Sequence, residues 1–153
     1  MKYQAVGRPS VGVRLTDSSL KRILCVDDDN ALRKTYQDLL KRYGEITLAE
    51  NGRVALELFQ ESPQRYNLIL TDNNMPEVEG IEFLAAIQSY SYPPRVLLTG
   101  RATPELCQRA LELGAAGVLY KPLDPQMLLN IVKELLQDDK SSTLEQYVKD
   151  NFS

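Results

Sequence analysis

Histidine and tryptophan are both absent from this 153-residue sequence, and only two cysteines are present. Without histidine, the chain has no imidazole for acid–base catalysis, for metal binding or for carrying a phosphoryl group. Cys25 and Cys107 are far apart and form no CxxC pair, so we expect buried thiols in a reducing cytoplasm. Any chemistry of this chain must therefore depend on carboxylates, lysine and hydroxyl groups.

Long apolar runs and an excess of positive charge are missing too. No run approaches the roughly 20 apolar residues that a membrane-spanning helix needs, and residues 1–12 lack the apolar centre of a secretory signal. The net charge of -3 argues against direct nucleic-acid binding, which requires clustered lysine and arginine. We therefore expect a cytoplasmic protein that binds neither membranes nor nucleic acids.

Five short apolar runs alternate with helical patterns in the middle of the chain. Capping residues open several of the helices, among them Asn30 and Thr103, and a proline follows the second of these. Right-handed crossovers between buried strands predict an α/β fold of the flavodoxin-like, doubly wound (βα)5 type, with parallel sheet order 2-1-3-4-5. The expected strands are residues 22–26, 46–49, 67–71, 95–99 and 116–120.

Both ends of the chain lie outside this pattern. Residues 1–20 are expected to form an N-terminal arm, residues 21–137 the folded domain, and residues 138–153 a C-terminal amphipathic tail or linker helix. In the tail, a capping box at residues 142–145 precedes apolar residues on one helical face. This tail is expected to be either a helix that binds a partner or a second copy of the chain, or the beginning of a linker to an output domain. The alternative is a short helix that packs on its own domain or frays.

Polar residues stand at the ends of four predicted strands. Asp27 and Asp28 follow the first strand, Asp72 follows the third, Thr99 ends the fourth and Lys121 follows the fifth. The carboxyl ends of parallel strands meet at one edge, so these residues should converge there. Three carboxylates repel one another unless a cation neutralises them, which favours Mg2+, with Mn2+ as the alternative. With a lysine and a hydroxyl facing an anion at the metal, the set predicts phosphoryl transfer to Asp72.

Four segments resemble the signature of response-regulator receiver domains, over about residues 21–137. They are Ile23–Asp29, Leu68–Pro76 with Gly80, Leu97–Gly100 and Tyr120–Pro122. The resemblance implies a regulatory receiver domain of the CheY-like superfamily and not an enzyme that acts on a separate substrate. In such a domain, a histidine kinase or histidine phosphotransfer protein phosphorylates the acceptor aspartate, and a conformational change carries the signal to a downstream output protein or domain.

The resemblance also implies a role for each site residue. Asp28 would bind Mg2+ directly, Asp27 directly or through water, and Asp72 would be both ligand and phosphoacceptor. The backbone carbonyl of Asn74 would complete the ligand set. Lys121 would pair with the phosphoryl group, and its peptide bond to Pro122 is expected to be cis.

Receiver domains change conformation on phosphorylation through a few switch residues, and this chain differs from the family at two of those positions. The family's switch aromatic stands three residues before the lysine, where this chain has Val118; Tyr120 lies two residues later on the same strand face. Alanine usually follows the switch threonine, and here that residue is Gly100. We expect either that Tyr120 replaces the aromatic residue or that the loop after Thr99 moves on phosphorylation.

Two further positions are expected to modulate hydrolysis of the phosphorylated form. Asn74 stands two residues after the acceptor, and Arg101 two residues after the switch threonine. An amide can orient a water molecule, whereas a guanidinium can shield the phosphoryl oxygens. Arg101 could equally point into solvent.

Two other functions fit parts of the pattern. A Mg2+-dependent phosphatase of the haloacid-dehalogenase type would use Asp27 as nucleophile and Asp29 as acid/base residue, but it leaves Asp72, Met75 and Pro76 unexplained. A pseudo-receiver that binds its partner without phosphorylation is the other alternative, and the complete acidic set argues against it. Outside the phosphatase, Asp29 is expected to be a loop or helix-cap residue.

Overall fold

A single parallel sheet forms the centre of the computed structural model, which describes residues 20–75, 78–137 and Asn151. The strand order is β2-β1-β3-β4-β5, and every neighbouring pair is parallel. The predicted flavodoxin-like, doubly wound fold is therefore confirmed. The strands are Arg22–Val26 (β1), Glu45–Ala49 (β2), Leu68–Asp72 (β3), Arg95–Thr99 (β4) and Gly117–Tyr120 (β5).

The strands form where the sequence has continuous apolar runs, because helices cover both faces of the sheet. All residues of β3 and β4 are buried, whereas β2, at one edge, is mostly half-exposed. The observed strand ends differ from the predicted ones by one residue at most. One difference matters for the site: Asp72, expected to follow β3, is its last residue and pairs in register with Leu98.

Within residues 20–137, four α-helices and one 3-10 turn connect the strands, and a fifth α-helix follows β5. The helices are Asn30–Leu40 (α1), Gly52–Glu61 (α2), Gly80–Ala86 (α3), Pro104–Glu112 (α4) and Pro125–Leu136 (α5), and the 3-10 turn is Pro63–Arg65. Apolar residues of α1 and α5 pack against one face of the sheet, and those of α2, α3 and α4 pack against the other. Cys25 and Cys107 are both buried in these cores and unpaired, as predicted.

The helix caps largely follow the sequence, with one correction. Thr103 caps α4 through the backbone N–H of Leu106. The prediction that Asn30 caps α1 was wrong: the N-cap is Asp29, whose side chain accepts from two backbone N–H groups of the first turn. A cap residue needs an extended backbone, which Asp29 has at φ -85° and ψ 115°, whereas Asn30 is already helical.

The two ends of the chain stay as predictions. Apart from Leu20 and Asn151, the predicted arm over residues 1–20 and tail over residues 138–153 lie outside the described residues. Within the part of the chain that the structure describes, no helix is both long enough and apolar enough to cross a membrane.

Candidate functional site

The carboxyl edge of the sheet brings together the polar residues that the sequence placed at strand ends. Asp27 and Asp28 follow β1, Asp72 ends β3 and Lys121 follows β5. One carboxylate oxygen from each of the three aspartates lies within 4.8 Å of the corresponding oxygens of the others. Asp27 and Asp72 are buried, whereas Asp28 is exposed. The cluster is thus open to solvent on the side of Asp28.

Lys121 joins the two buried carboxylates. Its Nζ lies 2.7 Å from Oδ2 of Asp27 and 3.0 Å from Oδ1 of Asp72. Burial opposes the lysine charge, but the hydrogen bonds to the two carboxylates outweigh it and raise the pKa of Lys121 above its usual value. The backbone N–H of Lys121 donates to the carbonyl of Thr99 at 2.8 Å, and the peptide bond to Pro122 is cis. A permanently charged ammonium group therefore lies beside Asp72.

Asp27 is held by donors at both of its carboxylate oxygens. Its Oδ1 accepts the backbone N–H of Asp29 at 2.9 Å. Its Oδ2 accepts from Lys121 and also from the hydroxyl of Tyr36, at 3.2 Å. Burial, and then the charge of Asp27, raise the pKa of Tyr36, so its hydroxyl stays protonated and donates. The carboxylate of Asp27, which is fully buried, is therefore fixed in one orientation.

Asp72 combines burial with a balance of nearby charges. Burial raises the pKa of its carboxyl, the hydrogen bond from Lys121 lowers it, and the charges of Asp27 and Asp28 raise it again. The net result is a pKa above the usual range for aspartate. A cation beside these carboxylates would therefore favour the ionised form of Asp72, which is the form that can act as a nucleophile.

The cluster fits a divalent cation in both charge and size. Three carboxylates and one ammonium group carry two formal negative charges in excess, which a divalent cation would neutralise. Ligand oxygens at about 2.1 Å from Mg2+ lie about 3.0 Å apart when adjacent and about 4.2 Å apart when opposite. The three carboxylate oxygens all lie within 4.8 Å of one another, which is close to these separations.

The loop that follows β3 is held by Asn73, a residue to which the sequence assigned no role. Its Oδ1 accepts the N–H of Ile81 at 3.0 Å, and its carbonyl accepts the N–H of Gly80 at 3.1 Å. A Cβ at Gly80 would lie 2.3 Å from the carbonyl oxygen of Asp72, so only glycine allows this approach. The loop thereby ties the end of β3 to the start of α3. Asn74, the predicted modulating residue, is exposed beside it.

Thr99 ends β4, the strand between β3, which carries Asp72, and β5, which Lys121 follows. Thr99 is fully buried, and its Oγ1 accepts the backbone N–H of Arg101 at 3.1 Å. Among the described residues, no atom other than those of Gly100 and its two chain neighbours lies within 4 Å of a Cβ built on Gly100, and the side chain of Arg101 is exposed. This loop therefore has room to rearrange.

The two positions considered for an aromatic switch have different environments. Val118 is buried in the apolar cluster that joins β4, β5, α3 and α4. Tyr120, at the end of β5, is partly exposed. Val118 is thus a core residue, and any movement of an aromatic ring at the surface of β5 would have to come from Tyr120.

Sequence reasoning missed the contact between Tyr36 and Asp27. The spacing of apolar residues placed Tyr36 on the buried face of α1, where its ring lies, but gave no partner for its hydroxyl. The ring lines an apolar groove of about 430 Å³ between α1 and the β5–α5 connection, with Leu32, Leu123 and Leu128 among the other lining residues. The one signal in the sequence was that a buried tyrosine usually finds a hydrogen-bond partner.

Comparisons with known proteins agree with this geometry. A family model described as the response regulator receiver domain matches residues 23–133. The chain is 34% identical over 125 residues to the transcriptional regulatory protein SrrA of Staphylococcus aureus, a match that covers 81% of this chain and 51% of SrrA. It is 32% identical over 121 residues to the 3',5'-cyclic-nucleotide phosphodiesterase regA of Dictyostelium discoideum, covering 76% of this chain and 15% of regA.

A solved structure supports the same assignment. The CheY-like response regulator receiver domain protein of Methanospirillum hungatei JF-1 is 33% identical, with a TM-score of 0.74, covering 78% of this chain and 96% of that one. The chain spans about half the length of SrrA and a smaller part of regA.

Proposed function

The chain belongs to the response regulator receiver family, and we propose that Asp72 accepts a phosphoryl group from a histidine kinase or a histidine phosphotransfer protein. The observation that carries this proposal is the contact of Lys121 with Asp72, at 3.0 Å, inside a cluster of three carboxylates. This arrangement offers a nucleophile, a fixed positive charge and a place for a divalent cation within one small site.

Each residue contributes a separate part of the transfer. The ionised carboxylate of Asp72 forms a P–O bond while the P–N bond of the donor phosphohistidine breaks, and the donor imidazole keeps the electron pair. Lys121 is close enough to Asp72 to pair with an oxygen of the incoming group. The hydroxyl of Thr99 is a further donor to that group. Mg2+, when bound by Asp27, Asp28, Asp72 and the Asn74 carbonyl, would neutralise charge on the phosphoryl oxygens, and Mn2+ could replace it.

Receiver domains are regulatory, and we propose the same role here. The phosphorylated form would signal through a change in its surface to a downstream output protein or domain, at the loop after Thr99 and at α4. The chain covers only part of SrrA and of regA, so the proposed role does not include the output activities of those two proteins. A cytoplasmic location and a dimer stay predictions from the sequence.

The geometry argues against the phosphatase alternative. That reaction needs Asp27 as the nucleophile, but both oxygens of Asp27 already accept hydrogen bonds, from Asp29, Tyr36 and Lys121. It also needs Asp29 as an acid/base residue, but the Asp29 side chain caps α1 through Ala31 and Leu32. The site therefore favours Asp72 as the acceptor.

Phosphorylation by a small-molecule donor tests the proposal. The protein is incubated with Mg2+ and acetyl phosphate or phosphoramidate, and its intact mass is measured over time. We expect the gain of one phosphoryl group in the parent and in an Asp38→Asn control, which changes an exposed carboxylate of α1. Asp72→Asn, or addition of EDTA, should abolish the gain.

Two other outcomes would contradict the proposal. Loss of phosphorylation in Asp27→Asn with retention in Asp72→Asn would favour the phosphatase. No phosphorylation of the parent by either donor, in the presence of Mg2+ or Mn2+, would favour a pseudo-receiver.

A further inference from the structure

The hydroxyl of Tyr36 reaches the site but has no part in the proposed transfer. Tyr36 lies in the middle of α1 and is 3% exposed. Its ring contributes to the apolar groove beside α1, while its hydroxyl donates to Oδ2 of Asp27 at 3.2 Å. This is the same oxygen that Lys121 contacts at 2.7 Å. Tyr36 and Lys121 thus share one acceptor.

Lys121 and Tyr36 are the hydrogen-bond donors to Oδ2 of Asp27 in the metal-free site. A buried carboxylate oxygen that loses its hydrogen-bond donors destabilises the protein, because no solvent replaces them. Asp27 is fully buried. Its other oxygen is held by the N–H of Asp29, which cannot also serve Oδ2.

In the proposed transfer, Lys121 is the donor that moves away from Asp27. Once a phosphoryl group is attached to Asp72, its oxygens offer Lys121 new anionic acceptors. Any movement of Nζ toward them lengthens the bond from Nζ to Asp27. Tyr36, which is held by its packing on α1, does not need to move with the lysine.

We propose that Tyr36 is a positioning residue, whose hydroxyl keeps the Asp27 carboxylate in place while Lys121 turns toward the phosphoryl group. The inference rests on the proposed function of Asp72. The competing explanation is that the hydroxyl only satisfies a buried tyrosine and has no influence on the phosphorylated state. The two explanations differ in which equilibrium the hydroxyl affects.

Two tyrosine-to-phenylalanine variants distinguish them. Tyr36→Phe keeps the ring in the groove and removes the donor. Tyr66→Phe is the matched control, because Tyr66 is also buried, at 1% exposure, and packs in the core on the opposite face of the sheet. Thermal or urea unfolding of both variants reports the purely structural cost of losing a buried hydroxyl.

The decisive measurement compares two binding equilibria in each protein. Titration with Mg2+ alone, by calorimetry, reports the site while Lys121 remains on Asp27. Titration with beryllofluoride at saturating Mg2+, by 19F NMR, reports the site with a phosphoryl-like anion on Asp72. For Tyr36→Phe we expect beryllofluoride affinity to fall about tenfold, which corresponds to about 1.4 kcal/mol, while Mg2+ affinity stays within about twofold. Tyr66→Phe should change neither.

Several results would overturn the inference. Beryllofluoride affinity in Tyr36→Phe within twofold of the parent would show that the hydroxyl is not used when the anion is present. If Tyr36→Phe lost as much affinity for Mg2+ alone as for beryllofluoride, the hydroxyl would act on the metal site in general and not specifically on the phosphorylated state. If the parent protein does not bind beryllofluoride, both the proposed function and this inference are overturned. If the parent binds it and Tyr36→Phe binds it equally well, only the inference is overturned.

A measurement on the unaltered protein covers the case in which Tyr36→Phe does not fold. With 13C-labelled tyrosine, the Cζ resonance of Tyr36 should shift when beryllofluoride is added to the Mg2+-saturated protein, because its hydroxyl then becomes the main donor to Asp27. The Cζ resonance of Tyr66 should stay in place. An unmoved Tyr36 resonance would refute the proposed role.

Discussion

Replacing Asp72 by asparagine should stabilise the metal-free protein, although it removes the proposed phosphoacceptor. The substitution eliminates one of three neighbouring negative charges at a position that is 3% exposed. Lys121 keeps its partner Asp27, at 2.7 Å, so the lysine is not left unpaired. The asparagine carbonyl can also accept the hydrogen bond from Lys121 that Asp72 now receives.

The magnitude follows from the distances. At 4.8 Å, the upper limit within the cluster, two carboxylates repel by about 3.5 kcal/mol at an effective dielectric constant of about 20. The attraction between Asp72 and Lys121, at 3.0 Å, is about 5.5 kcal/mol on the same scale. Two repulsions therefore exceed one attraction by about 1.5 kcal/mol, and solvent reduces the share of the exposed Asp28. We expect the variant to gain about 1 kcal/mol.

Urea unfolding followed by circular dichroism, in EDTA at neutral pH, measures this gain. Asp38→Asn is the control, because it removes the same charge from an exposed position on α1 outside the cluster. Mg2+ should reverse the order of stability: at a concentration 100 times its dissociation constant, it adds about 2.7 kcal/mol to a protein that binds it only when folded. The parent should gain this amount, and Asp72→Asn should gain little.

The gain should also depend on pH. Because the pKa of Asp72 is raised in the folded protein, the folded state binds its proton more tightly than the unfolded chain does. The parent therefore loses stability as the pH rises from about 3.9, the usual aspartate value, through the raised pKa. Asparagine does not titrate, so the advantage of Asp72→Asn should be complete at neutral pH and should shrink toward pH 4.

One result would refute this reasoning. If Asp72→Asn unfolds at a lower urea concentration than the parent, in EDTA at neutral pH, the attraction of Lys121 for Asp72 outweighs the repulsion among the carboxylates.

Three further predictions concern residues around the site and in the core. Arg95→Met should destabilise the protein by about 3 kcal/mol, because the buried guanidinium donates to three backbone carbonyls near the end of α3; a loss below about 1 kcal/mol in urea unfolding would contradict this. Arg101→Ala should speed decay of the phosphorylated protein about twofold or more, measured by intact mass, whereas unchanged or slower decay would exclude shielding of the phosphoryl group. In Tyr120→Ala, the NMR shifts that phosphorylation causes at Gly100 and Thr103 should persist; their loss with phosphorylation intact would restore an aromatic switch.

The order of elements and the sheet topology could be predicted from the sequence, because a strand buried on both faces must be apolar throughout. β1, β3 and β4 each contain such an apolar run, with polar residues at their ends, and crossover helices between them allow few arrangements. The same argument placed Asp27 and Asp72 at one edge, where the structure has them in contact with Lys121. The fold itself determines where a residue at the end of a parallel strand lies. Its neighbours at that edge can therefore be predicted from the strand order, without knowledge of any side-chain contact.

Other features were decided only by the tertiary structure. The hydroxyl of Tyr36 meets Asp27, the guanidinium of Arg95 turns into the core, and Asp29 instead of Asn30 caps α1. The apolar periodicity of a helix shows which residues face inward. A hydrogen bond, however, forms only when the distance between donor and acceptor is right to within a few tenths of an ångström. Whether the polar end of a buried side chain reaches a given acceptor depends on how far each helix is rotated and shifted against the sheet. That position is set by the packing of the whole core, and local sequence does not contain it.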